Sequence, residues 1–364
     1  MTIREITKYL ESLAPISSQE SYDNSGLIVG DPSVEVNNVL VSLDCIEATV
    51  QEAIEKKCQL IIAHHPIVFK GLKRLNGSDY VERTVLKAIK NDVAIYAIHT
   101  NLDNFKLGVN FEIGNRLGLR DLQILRPKTN VLSKLICYVP EDHVAPVSEA
   151  IFAAGAGSIG EYDECGFQTK GEGTFRPSAN ATPFIGKKEK RANVKEVKFE
   201  SVCSTHTVQK VIAAMLEAHP YEEVAYEVFP MSNENKFEGS GMVGNLKEGM
   251  GELDFLKMLK DTFNCGVVRY TNLVGKQIER VAFCGGSGSF LLKDAKRSGA
   301  QVFITGDYKY HEFFDAEEEI IIADIGHFES EQFTSNRIAE ILTEKFANFA
   351  VHLTEVNTNP INYF

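Results

Sequence analysis

The chain has 364 residues, which at about 150 residues per domain points to two domains or to one large domain carrying an insertion. Hydrophobic residues make up 44% and charged residues 24%, a globular mix that excludes a disordered polymer or a fibrous repeat. Lys plus Arg number 38 against 50 Asp plus Glu, a formal net charge of −12, which argues against nucleic acid as a partner because affinity for phosphate backbones comes mainly from Lys and Arg displacing counterions.

The opening segment MTIREITKYLESLAP is amphipathic and lacks the long apolar run of a signal peptide or membrane span, so a cytoplasmic protein with no membrane partner is expected. From Val39 onward, short apolar runs alternate with helical stretches: NNVLVSLD, IEATVQEAIEKK, QLIIAHHP, YVERTVLKAIKND and VAIYAIHT. Apolar runs with little alternation suit strands covered on both faces, and the spacers suit crossover helices, so this half reads as a parallel α/β sheet.

Between 131 and 231 the pattern changes. LSKLICYVP, a helix through VAPVSEAIFAAG, GFQTKGEGTFRP, KEVKFESVC, a helix through TVQKVIAAMLEAH, and EEVAYEVFP read as βαβ followed by βαβ. That order fits a small ferredoxin-like α+β domain inserted into the chain, with PSANATPFIGKKEKRAN as an exposed excursion. After it the first pattern returns in RVAFCGG, QVFITGD, IIIADIGH and FAVHLTEV, separated by helical stretches. The fold class expected is α/β: two similar parallel-sheet halves (1–130 and 232–364) forming one main domain, with 131–231 inserted.

Metal-capable residues fall just past strand ends, the edge at which open parallel sheets bind ligands. His64 and His65 close QLIIA, His99 closes VAIYAI with Asp103 four residues on, and His327 follows IIIADIG with Glu331 four residues on. His327 and Glu331 share a face if a helix starts there. Imidazole and carboxylate together suit zinc, iron or manganese, and no nearby Cys points to a thiolate site. Three of these histidines with the two carboxylates already exceed the needs of one tetrahedral ion but suit two divalent ions sharing a carboxylate and a water. Such a pair keeps a positive charge that favours a phosphorylated or nucleotide-like ligand. Asp44 and Asp307 close strands and, with His99, are candidates for acid/base or outer-shell work, although helix caps look similar.

Weaker motifs complete the reading. Gly155 to Gly160 matches GxGxxG as a string but follows a helix, so it reads as a helix end and turn. CGGSGS at 284–289 reads equally as helix-entry packing or as an anion contact. His311 is a further candidate for the same rim, while His143, His206, His219 and His352 fall outside the converging set. The seven cysteines are odd in number and contain no CxxC, so buried thiols are expected rather than disulfides.

YDNSGLIVG (22–30), IIAHHPIVF (61–69), IHTNLDN (98–104), ITGDYKYH (304–311), IGHFESE (325–331) and VNTNP (356–360) resemble the Nif-three-like proteins, often labelled GTP cyclohydrolase 1 type 2 homologues. The resemblance spans the chain, and the segment 131–231 resembles the CutA-like or PII-like domain of longer bacterial members. It implies a dinuclear site with His64, His65, Asp103, His327 and Glu331 as ligands, Glu331 bridging, and His99 nearby. It also implies a toroidal homohexamer. Two function classes are therefore carried: a metal-dependent hydrolase of a small phosphorylated or nucleotide-like substrate, and a metal-binding regulatory or metal-chaperone protein.

Overall fold

The computed structural model describes residues 1–347 and 349–364. The chain divides into two compact units: Met1–Pro127 with Phe237–Phe364, and Lys128–Lys236.

The larger unit is built on two sheets. The first runs Gly26–Val29, Ala94–Ala97, Leu60–Ala63, Asn38–Ser42, Ala350–Leu353 in spatial order. The last four strands are mutually parallel, and Leu60–Ala63 and Ala94–Ala97 are buried at every position. Alternation along the strands sends Val39, Val41, Leu60, Ile62 and Tyr96 into one apolar cluster and Leu40, Ile61 and Ile95 into another. The helices Glu47–Glu55 and Tyr80–Lys90 cover the second cluster with Val50, Ala53, Val85 and Ala88. On the other face lies the helix Ile3–Leu13, which contributes Ile3, Ile6 and Leu10. A reciprocal capping box starts it: Glu5 N–H donates to Thr2 Oγ1, and Thr2 N–H donates to the Glu5 carboxylate.

The second sheet runs Arg269–Tyr270, Ile321–Asp324, Val302–Gly306, Ile278–Ser287, Asn235–Met250, Arg120–Lys128. Val281, Phe283, Val302, Ile304, Ile321 and Ala323 point into the same cluster as Val39 and Leu60, so one core lies between the two sheets.

Neither sheet is wholly parallel, which corrects the expectation of two parallel-sheet halves. Gly26–Val29 is antiparallel to Ala94–Ala97, Asn235–Met250 is antiparallel to Ile278–Ser287, and Arg269–Tyr270 is antiparallel to Ile321–Asp324. The buried interior strands are parallel, and they are flanked by these antiparallel additions and, in the first sheet, by the parallel but half-exposed Ala350–Leu353.

The unit Lys128–Lys236 carries a four-stranded antiparallel sheet in the order Gly166–Phe175, Ala192–Ser204, Leu132–Pro140, Tyr226–Met231. One face packs against the helices Val144–Ala153 and Val208–Ala218, joining Leu135, Cys137, Val139, Val197 and Phe199 to Val147, Ile151, Val211 and Met215. Among the described residues the cysteines are free, all buried except half-buried Cys165, and no helix is long and apolar enough to cross a membrane.

Candidate metal centre

Strand ends of both sheets of the larger unit deliver the chemistry. His64 and His65 directly follow Leu60–Ala63, and His99 caps the single turn Thr100–Asp103 that follows Ala94–Ala97. His327 and Glu331 are the first and last residues of a short helix beyond Ile321–Asp324. Gly326 makes the sharp entry at φ +95°, and its N–H donates to Asp324 Oδ1.

Glu331 Oε2 lies 3.0 Å from His65 Nε2, 3.1 Å from His327 Nε2 and 3.9 Å from His64 Nε2. His64 Nε2 is 3.5 Å from Asp103 Oδ1, and the two imidazole Nε2 atoms of His65 and His327 are 3.3 Å apart. Ligand atoms of His64, His65 and His99 also lie within 4.8 Å of one another.

The outward edges of the imidazoles follow one rule: every Nδ1 is engaged by an oxygen. His64 Nδ1 pairs with the Ile98 carbonyl at 2.8 Å, His65 Nδ1 with Asp44 at 2.8 Å, His327 Nδ1 with Asp307 at 2.6 Å and His99 Nδ1 with Asp23 at 2.7 Å. An oxygen acceptor at Nδ1 places the proton there and leaves Nε2 as a lone-pair donor, the arrangement by which proteins orient histidines toward a metal.

The buried atoms left over test whether an ion fits. His64 Nε2 and Asp103 Oδ1 are buried with no hydrogen-bond partner. Buried polar atoms are rarely orphaned, and a cation supplies what both lack. Nitrogen and carboxylate oxygen donors without thiolate suit zinc, iron or manganese. The buried His, Asp and Glu groups here can therefore hold a metal ion.

Electrostatics reflect the same crowding. Burial opposes a charged His65, but its contacts with Asp44 and Glu331 outweigh burial and push it up to about 9. His327 is raised further, against burial, by Glu331 and Asp307. Burial and the neighbouring Glu331 charge raise Asp103, while the surrounding imidazoles hold Glu331 well below the usual range despite its burial.

Gly286 provides the clearance. It sits at φ +60°, and a Cβ there would lie 2.4 Å from Glu331 Oε1. The CGGSGS segment thus serves packing against the centre. Three of its N–H groups are engaged within the protein rather than offered to an anion: those of Gly285, Gly286 and Gly288 donate to Asn110, Ser330 and Thr305 side chains.

His311 does not reach the centre, lying exposed in the turn Tyr310–Ala316 with its ring against Tyr310. Asp44 and Asp307, expected as candidate acid/base groups, are each engaged with an imidazole of the cluster. Asp23 and Thr358 were missed as supports. Asp23 accepts from Thr100 N–H at 3.0 Å as well as holding His99; these contacts outweigh burial and keep its carboxyl well below the usual range. Thr358 Oγ1 donates to Asp44 Oδ2 at 2.6 Å. Both lie in the quoted segments YDNSGLIVG and VNTNP, where a lone Asp and a lone Thr gave no chemical pattern of their own.

A cavity of about 500 Å³ opens beside the cluster, lined by His65, His99, Asp103, His327 and Glu331 and walled by the rings of Tyr22, Phe69 and Phe290. The Tyr22 and Phe69 rings stand 6.1 Å apart.

The chain is 38% identical to a GTP cyclohydrolase 1 type 2 homologue of Halalkalibacterium halodurans, over 98% of both chains. Identity to the Bacillus subtilis protein of the same description is 36%, over 99% of this chain and 98% of that one. In three dimensions it is similar to a crystal structure of a Bacillus cereus protein related to NIF3, at 35% identity and a TM-score of 0.88, covering 100% of this chain and 99% of the other. The family model for Duf34/NIF3 (NGG1p interacting factor 3) matches residues 1–360, and the chain belongs to that family.

Proposed function

We propose that this protein is a dinuclear divalent-metal hydrolase acting on a small phosphorylated or nucleotide-like substrate. The observation that carries the reading is the coincidence of the two orphaned donors, His64 Nε2 and Asp103 Oδ1, with a small-molecule-sized cavity that Asp103 lines together with His65, His327 and Glu331. His64, His65, Asp103, His327 and Glu331 are the proposed ligands of two ions, zinc first, with iron or manganese as alternatives. Glu331 is the proposed bridge, because its one oxygen faces three imidazoles. Bound there, two divalent ions would supply Lewis-acid activation of water and a clamp on developing oxyanion charge.

The chain's own groups divide the remaining work. Asp44 and Asp307 act through His65 and His327, fixing each ring by its Nδ1. His99 stands outside the groups that include Glu331 and borders the cavity, so it is the proposed proton-handling residue, poised by Asp23. Tyr22, Phe69 and Phe290 offer flat apolar surface for a base or similar ring.

The rival reading, a metal-binding regulatory or metal-chaperone protein, needs ions closed off by protein ligands. The open cavity favours catalysis. In the same proposal, residues 131–231 form an inserted ferredoxin-like, CutA/PII-like domain, supported by the antiparallel sheet and paired helices of Lys128–Lys236. The remaining segments, 1–130 and 232–364, form the metal domain. A cytoplasmic homohexamer completes the proposal, on the family resemblance.

The test is a panel of nucleotides and phosphate esters offered to metal-reconstituted protein and to Asp103→Asn. Turnover should need metal and fall in the variant, a pairing that a contaminating phosphatase would not produce. No turnover, together with crystals showing ions fully closed by side chains, would transfer the site to the regulatory reading.

A further inference from the structure

A second cavity, of about 410 Å³, lies within the unit Lys128–Lys236. Tyr138, Phe175, Phe184 and Tyr221 line it together with the carboxylate residue Glu196. Along the strand Ala192–Ser204, Val197, Phe199 and Cys203 enter the core beneath the helices, so alternation sets Glu196 on the opposite face.

Glu196 is nevertheless only 8% exposed. Tyr221 Oη donates to its Oε1 at 2.8 Å, and the Tyr221 ring stands 5.9 Å from Phe175 and 6.4 Å from Phe184. Gly173 makes the room: a Cβ there would lie 1.9 Å from Glu196 Oε2.

Among the described residues no Lys or Arg forms an ion pair with this carboxylate: Arg176, which lines the same cavity together with the acidic Glu222 and Glu223, donates its Nε to the Glu189 carbonyl at 2.9 Å. Lys170 and Lys198 pair with Glu141 and Glu200 instead. His219 is not a counter-ion, because its Nδ1 accepts from Tyr221 N–H and its Nε2 donates to the Tyr138 carbonyl, the pattern of a neutral ring.

A carboxylate withdrawn from water calls for a compensating charge, and aromatic faces attract cations while disfavouring anions. The volume lies in the range of small-molecule pockets, about 300–1,000 Å³. We propose that this cavity binds a small organic ammonium cation, its charged head against Glu196 and within the rings of Phe175, Phe184 and Tyr221. Phe184, on the segment held by Thr182 N–H to Glu222 Oε1 at 2.7 Å, is the exposed wall that such a ligand would cover.

The test is ligand-observed NMR on the full-length protein with choline, with cadaverine, and with 3,3-dimethylbutan-1-ol, the neutral isostere of choline. Saturable binding of at least one ammonium is expected, with the neutral isostere weaker by about tenfold or more. Glu196→Gln keeps an acceptor for Tyr221 and should weaken ammonium binding by about tenfold while leaving the thermal midpoint near that of wild type. Tyr221→Phe keeps the ring and should retain most of the binding. Absence of binding by both ammonium probes, equal binding of the isostere, or wild-type affinity in a folded Glu196→Gln protein would overturn the proposal.

Discussion

One oxygen organises the candidate metal centre. Glu331 Oε2 faces the Nε2 atoms of His64, His65 and His327 while Glu331 itself is 3% exposed. If that oxygen bridges two ions, Glu331→Ala should strip most of both, and elemental analysis of purified protein should fall from close to two divalent ions per chain toward none. Two ions retained in the variant, or one in the wild type, would remove the bridge. Gly286→Ala approaches the same atom without deleting a ligand. A side chain at φ +60° carries a strain of about 1–2 kcal/mol, and its Cβ would meet Glu331 Oε1 at 2.4 Å. The variant should stay folded by circular dichroism yet lose a large part of its metal; full occupancy would show that Glu331 shifts freely. His64, His65 and His327 could be picked out as candidates because they stand at or just past strand ends, with Asp103 and Glu331 each four residues beyond a histidine; that the ends of two separate sheets converge was not legible there. Asp23 and Thr358 could not be read in this way. Asp23 matters because it meets His99 Nδ1 and Thr358 because it meets the Asp44 carboxylate, and no residue spacing encodes either approach.

At the scale of elements, the covered interior strands were the most legible, since Leu60–Ala63 and Ala94–Ala97 are apolar throughout and buried on both faces. The antiparallel strand Asn235–Met250 was not. Its stretch EGSGMVGNLKEGM carries Gly239, Gly241, Gly244 and Gly249, which erase the side-chain pattern, yet at the first three a neighbouring backbone carbonyl comes close. A Cβ on Gly239 would lie 2.2 Å from the Arg126 carbonyl. Another element-level contact was equally hidden. Glu52, on the helix Glu47–Glu55, accepts from Lys56 Nζ at 2.7 Å, from Glu355 N–H at 2.8 Å and from Thr354 Oγ1, tying the chain beyond Ala350–Leu353 to that helix. Burial opposes its charge, but these donors outweigh burial and lower its pKa from 4.5. A carboxylate lowered on folding contributes stability that is present above the unfolded value and lost as pH falls through the folded one. Glu52→Gln should therefore cost about 1–2 kcal/mol at neutral pH, and its deficit should vanish once acid has protonated the wild-type residue. Thermal midpoints of both proteins between neutral pH and pH of about 3 would check this; a deficit independent of pH would show that shape, not charge, matters at this position.

At the scale of the whole molecule, the core between the two sheets draws on Val39, Leu60 and Tyr96 from one and on Phe283, Ile304 and Ala323 from the other, and none of its buried members falls between 131 and 231. The same independence holds for the five residues proposed as ligands, which all lie in Met1–Pro127 or Phe237–Phe364. The chain also leaves and re-enters the larger unit at neighbouring places. Arg120–Lys128 and Asn235–Met250 are adjacent strands of the second sheet, Gly239 N–H donates to the Asn104 carbonyl, and a Cβ on Gly239 would lie 2.7 Å from Pro127 Cα. A segment with its own core and closely spaced ends can be removed without opening the rest. Joining Asn130 to Ser232, with 131–231 deleted, should therefore give a folded protein that still binds divalent metal, measured by circular dichroism, thermal melting and elemental analysis. The excised protein should also have lost ammonium binding, because Glu196 and its aromatic walls leave with the deleted segment. A soluble, metal-loaded remainder that still took up choline or cadaverine would move the ammonium site out of the deleted segment. Insoluble or metal-free product would show that the segment completes the main core or its assembly, despite contributing none of the buried residues that join the two sheets.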